Sequence, residues 1–85
     1  MRRDLFLTVE MLQRDGLSAD VRFVHGLIEV RLDDERAMFP ASRADKAADW
    51  LAASAVMNHP ESELSKLWLL LAKAAGGAIP FGSRR

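Results

Sequence analysis

The stretch VRFVHGLIEVRL, residues 21–32, constrains the fold more than any other part of the chain. Two apolar-rich runs flank His25-Gly26, and a two-residue turn at that point dictates every pair across the resulting hairpin. Val24 then faces Leu27, Phe23 faces Ile28, Arg22 faces Glu29, Val21 faces Val30 and Asp20 faces Arg31. One face collects Val21, Phe23, Ile28 and Val30, with Ala19 and Leu32 beyond. The other collects two pairs of opposite charge, Arg22–Glu29 and Asp20–Arg31. Such cross-strand pairs contribute roughly 0.2–1 kcal/mol each, and a slip of one residue would scramble both faces. Glycine supplies positive φ at the second turn position, and histidine tolerates it at the first better than most residues. His25 therefore reads as a turn residue rather than a chemical group.

The flanking segments extend this hairpin into an α+β domain. Residues 2–15 predict a helix stopped by Gly16, with Leu5, Val9 and Leu12 on one face and Leu7 and Met11 on a second stripe. After Asp33-Asp34-Glu35, residues 36–40 predict a third strand. A turn at Asp34-Glu35 would set Asp33 opposite Arg36 and Val30 opposite Phe39. Pro40 cannot donate to a ladder, so this strand is expected at an edge.

Ser42-Arg43-Ala44-Asp45 has the form of a helix start, the serine capping free amides and Asp45 favouring the positive end. That helix is expected to reach about residue 58. It carries a narrow alanine-rich stripe (Ala44, Ala47, Ala48, Leu51, Ala55) and a second stripe of Trp50, Ala53 and Met57. His59-Pro60 breaks it, because a residue before proline avoids helical geometry. Pro60 suits the first turn of a last helix whose expected inner face is Leu64, Leu67, Trp68, Leu71 and Ala75, widened by Leu70. Gly76-Gly77 would end that helix. The expected architecture is an N-terminal helix, a three-stranded antiparallel meander, and two C-terminal helices packed on one sheet face. Residues 1–77 form the domain and 78–85 a tail.

Several chemistries are disfavoured at this level. The chain has no cysteine, so disulfides and thiolate metal sites are excluded. Its 12 basic and 12 acidic residues cancel, whereas dedicated nucleic-acid modules usually carry a basic excess. The apolar run Leu67-Trp68-Leu69-Leu70-Leu71-Ala72 falls far below the ~20 residues of a membrane span. Asp4 and Glu10 interrupt anything resembling a signal peptide, so the expected location is the cytoplasm. Arginine outnumbers lysine nine to three, which suggests a bacterial or phage source. Asp33-Asp34-Glu35 lacks the alternating ligands and glycine of a calcium loop. Gly76-Gly77 follows a helix instead of preceding one, unlike a phosphate loop. His25 at a turn tip and His59 at a helix break have no visible nucleophile or orienting partner. No catalytic residue, cofactor or metal is expected.

The informative excess is apolar. Eighty-five residues offer one sheet face and a few helix stripes to fill, and the surplus marks an interaction surface. A small non-enzymatic protein is therefore expected, docking an apolar helix surface on itself or on a larger protein partner, in the manner of a regulator or inhibitor. Leu7, Met11, Trp50 and Met57 are its candidate contacts. The alternative is a nucleic-acid-binding regulator. The order helix, three strands, helix resembles that of the double-stranded RNA-binding domain, and Ser42-Arg43-Ala44-Asp45-Lys46-Ala47-Ala48 resembles the start of that family's last helix. The resemblance implies phosphate contacts by Arg43 and Lys46, although Asp45 and Asp49 place acids where phosphate would approach.

Overall fold

A computed structural model describes residues 4–74. The first helix, α1 (Leu5–Arg14), begins later than the pattern suggested because Asp4 is extended and acts as its cap. The Asp4 carboxylate accepts from the Leu7 amide at 2.8 Å. At the other end Gly16 sits at φ 86, the Leu17 amide donates to the Leu12 carbonyl, and the Gly16 amide donates to that of Gln13. This left-handed closure satisfies carbonyls the helix would otherwise leave open. Leu5, Val9 and Leu12 are buried, as their spacing required, and Thr8 joins them by donating its hydroxyl to the Asp4 carbonyl.

Strands β1 (Ala19–Val24), β2 (Leu27–Leu32) and β3 (Glu35–Pro40) form an antiparallel sheet in that order. The β1–β2 register is the one expected, pair for pair, from Ala19–Leu32 to Val24–Leu27. His25 and Gly26 adopt φ 52 and 76, the two positive angles that match the twist of a tight hairpin.

The second hairpin corrects the expectation. Its turn lies at Asp33-Asp34, with Asp33 at φ 56, and pairs Ile28 with Phe39 and Val30 with Ala37. Arg36 faces Arg31 instead of Asp33. An aspartate accepts positive φ more readily than most residues, and the earlier turn carries the ladder from Leu32–Glu35 all the way to Leu27–Pro40. Because the shift is two residues, the inward and outward sets are unchanged. Ile28, Val30 and Leu32 are fully buried on the inner face.

A single 3-10 turn (Ala41–Arg43) leads from Pro40 into α2 (Ala44–Asn58). Ser42 is consumed by that turn and caps nothing; Arg43 holds the cap position without a side-chain bond. Asp45 does stand in the first turn, where its charge favours the positive helix end. Ala47, Ala48, Leu51, Ala52 and Ala55 are fully buried, and their small size lets α2 lie directly on β2 and β3. Beside it, α1 packs on α2 and β1, while α3 (Glu63–Ala74) packs chiefly against α2.

The last helix begins three residues later than expected. Pro60 and Glu61 belong to the connecting turn, and Ser62 caps the helix by accepting from the Ser65 amide at 3.1 Å. The Leu64 amide donates to the Asp15 carboxylate, so the end of α1 and the start of α3 share one acid. Its buried face is also rotated from the expected one. Leu64, Ser65, Trp68 and Ala72 point inward, whereas Leu67, Leu70 and Leu71 point out. Ser65 is fully buried because its hydroxyl reaches the Ala55 carbonyl at 3.2 Å and accepts from Ser62. Small Ser65 and Ala72 on either side of Trp68 permit a close approach to α2 that leucines at those positions would prevent. Ala75, the expected stop at Gly76-Gly77 and the tail lie outside the described residues.

Candidate interaction surface

The outer sheet face is polar and internally paired at one end. Arg22 grips Glu29 through two nitrogens at 3.0 and 2.6 Å, and Arg36 approaches the other Glu29 oxygen at 3.7 Å. Hydrogen bonding from Arg22 holds the Glu29 carboxyl below its ordinary value, with the charges of Arg22, Arg36 and Arg31 acting in the same sense. Arg31 binds Asp20 and donates to the Asp33 carbonyl. These groups line a groove of about 380 Å³. Like charges directly across a sheet are unfavourable, and the Arg31–Arg36 pair is relieved because Arg31 turns to Asp20 while Arg36 shares Glu29 with Arg22. Three arginines and two acids line the groove, so most of its charge is paired within it.

His59 stands at the helix break before Pro60, as the sequence suggested. It ends α2, donating its amide to the Ala55 carbonyl, and its Nε2 lies 2.6 Å from Asp33 Oδ2. The hydrogen bond to Asp33 raises its pKa above 6.5, Glu61 adding a weaker contribution. The pair ties the end of α2 to the β2–β3 turn, a structural position. His25 is exposed at its turn. Among the described residues no group of three His, Cys, Asp or Glu side chains could hold a metal ion, and no helix is long and apolar enough to cross a membrane.

A second hollow of about 380 Å³ lies beside Phe6 and Phe23, whose exposed rings stack at 5.8 Å. Asp4 and Asp45 border it; Asp4 caps α1, whereas Asp45 stands in the first turn of α2 with one carboxylate oxygen buried and without a hydrogen-bond partner.

Among the sequence candidates, Leu7 and Met57 are open to solvent, while Met11 and Trp50 are half-buried against the core. Arg43 and Lys46 are both exposed, with half-buried Asp45 between them. A further row of exposed apolar side chains lies on α3. Leu67, Leu70 and Leu71 are 48, 65 and 55% exposed, and Leu69 adds 38%. Residues 67, 70, 71 and 74 recur at the three- and four-residue spacings that share one helix face. Reading the helix outward from Trp68 and small Ser65 and Ala72 would have found this face.

Compared with known proteins, the chain matches no family model, no curated protein and no solved structure.

Proposed function

We propose that the protein is a small non-enzymatic interaction module that engages another protein surface through the apolar outer face of α3. The observation that carries this reading is the contiguous exposure of Leu67, Leu70 and Leu71 on a helix whose opposite face is already satisfied by α2. Exposed apolar faces of this kind mark sites of association, because burying them removes hydrocarbon from water at about 25 cal/mol per Å². Leu7 and Met57, also open, are secondary contacts. The nucleic-acid alternative has the exposure of Arg43 and Lys46 in its favour, but acids of the same helix and a net charge of zero stand against it.

Replacing Leu67, Leu70 and Leu71 together by serine tests the reading. Stability in urea should change by less than about 1 kcal/mol, since exposed positions rarely matter more, while retention on a mildly hydrophobic column should fall. A loss of several kcal/mol would place these leucines in the core and end the proposal.

A further inference from the structure

Away from the α3 face, the outer edge of β1 is open. The Asp33 amide donates to the Ser18 carbonyl, continuing the β1–β2 register, so Asp20, Arg22 and Val24 turn their backbone groups toward β2. Ala19, Val21 and Phe23 turn theirs away from the sheet. The Gln13 side chain takes one of these groups, the Ala19 carbonyl, at 2.8 Å. The amides and carbonyls of Val21 and Phe23 meet no partner among the described residues. The opposite edge is blunted, because on β3 Pro40 falls in the outward set and brings no amide.

We infer that the β1 edge pairs with the same edge of a second copy, antiparallel about a two-fold axis through Val21, so that two three-stranded sheets become one. Only a register that sets outward residues against outward residues makes the bonds. Centred on Asp20 or Arg22, such a pairing sets like charges directly opposite, which is unfavourable. Centred on Ala19 or Phe23, it runs off the strand, into the loop after α1 or into the His25-Gly26 turn. Centred on Val21, it sets Asp20 opposite Arg22 of the second copy, and symmetry makes that contact twice. Both groups retain capacity for it. Arg31 holds Asp20 through Oδ2, and Arg22 holds Glu29 through Nε and Nη2, which leaves Asp20 Oδ1 and Arg22 Nη1 open. Both side chains also keep more than half of their surface exposed. Across the junction the outer row reads Arg31, Asp20, Arg22, Glu29, alternating in sign from one sheet to the next. On the inner face the exposed Phe23 comes opposite Ala19, the smallest side chain of the strand. A carbonyl has two lone pairs, so Ala19 accepts from that Phe23 amide while keeping Gln13. The balanced total of 12 basic and 12 acidic residues removes the long-range repulsion that keeps copies of a charged protein apart. A six-residue edge covers less than the ~800 Å² per partner of a standard interface, so a Kd on the order of 100 μM is expected.

Sedimentation equilibrium on the full chain, from about 10 μM to 2 mM, should show a reversible monomer–dimer equilibrium. Val21→Pro removes an amide that the single copy does not use and should raise the Kd at least about tenfold. Arg22→Glu sets acid against acid across the junction and should raise it about three- to tenfold. Hydrogen exchange at the Val21 and Phe23 amides should slow as concentration rises, whereas the Arg22 amide, bonded to β2, is protected throughout. In a mixture of labelled and unlabelled chains, the Hα atoms of Asp20 and Arg22 should give a contact between copies, since residues opposite one another at a non-bonded pair approach most closely. A monomer across the whole range overturns the proposal. So does a dimer whose Val21 and Phe23 amides exchange as fast as in dilute solution, or whose Kd ignores both substitutions. Protected amides without the Asp20–Arg22 contact overturn the axis through Val21.

Discussion

The β1–β2 hairpin and α3 are both rich in branched apolar residues, yet they treat their outward faces in opposite ways. On the hairpin the outward set carries Asp20, Arg22, Glu29 and Arg31, and these charges find one another across the strands, although Phe23 of the inward set is also exposed. On α3 leucines occupy the outward positions while a serine is fully buried. A strand has only two faces, so alternation settles which one is inside. A helix with leucine on most of its circumference has no such rule, and its phase is decided by what fits against α2. Leu64 and Trp68 fill that contact with Ser65 and Ala72 beside them, and Leu67, Leu70 and Leu71 are left out.

The sharpest way to break this contrast is to exchange burial for exposure along α3. Trp68→Ala should cost about 3–5 kcal/mol, because it removes a large buried ring from the α2 contact. Leu70→Ala, two positions away, should cost less than about 0.5 kcal/mol. Urea titration with an unchanged m-value measures both; equal losses would mean that the outward face is core after all.

The hairpin can be probed through its turn. At Gly26 an added methyl would meet no atom within 4 Å, so the cost of Gly26→Ala is backbone strain alone. With φ at 76 that strain should be about 1–2 kcal/mol, and Gly26→Asn should recover part of it. A larger shift in thermal midpoint for alanine than for asparagine would isolate the angle from any packing effect.

The smallest effect concerns the clasp between His59 and Asp33. Its folded-state pKa is raised, so the stabilisation is complete below about 6.5 and disappears as pH climbs through the folded value. Stability should decline by about 0.5–1 kcal/mol across that interval, the range for a partly exposed ion pair. Asp33→Asn should flatten the decline while retaining a residue that accepts positive φ. A wild-type slope that persists in Asp33→Asn would assign the titration elsewhere.

The legible parts of the chain are those where one local rule had no competitor. Period-two alternation, charge pairing and His25-Gly26 together admitted one register for the first hairpin. Alanines spaced three and four apart along α2 marked most of its inner face, missing only the buried Ala52 and Ser54 beside them. The second hairpin was missed by one residue at its turn, since both Asp33 and Asp34 suit a turn and only ladder length separates them. Ser42 was misread as a cap because Pro40 starts a 3-10 turn that displaces the helix. Of the exposed apolar residues, Leu7 and Met57 were visible as surplus. The α3 face was not, because leucines at 64, 67 and 71 spell an inner stripe as convincingly as they spell an outer one. Only the hydroxyl of Ser65, seeking the Ala55 carbonyl, turns the helix to its actual phase.

The bond from Asp15 to the Leu64 amide spans 49 residues, farther along the chain than any other side-chain bond described here. Closing so long a loop carries an entropic cost that adjacent strands escape, so the hairpins are expected to form before this contact. A chain emerging from the ribosome amino end first would hold α1, the sheet and α2 in place while the carboxylate of Asp15 waits for its amide. Docking of α3 is then the finishing step of folding, and the one that brings its row of leucines into a fixed orientation.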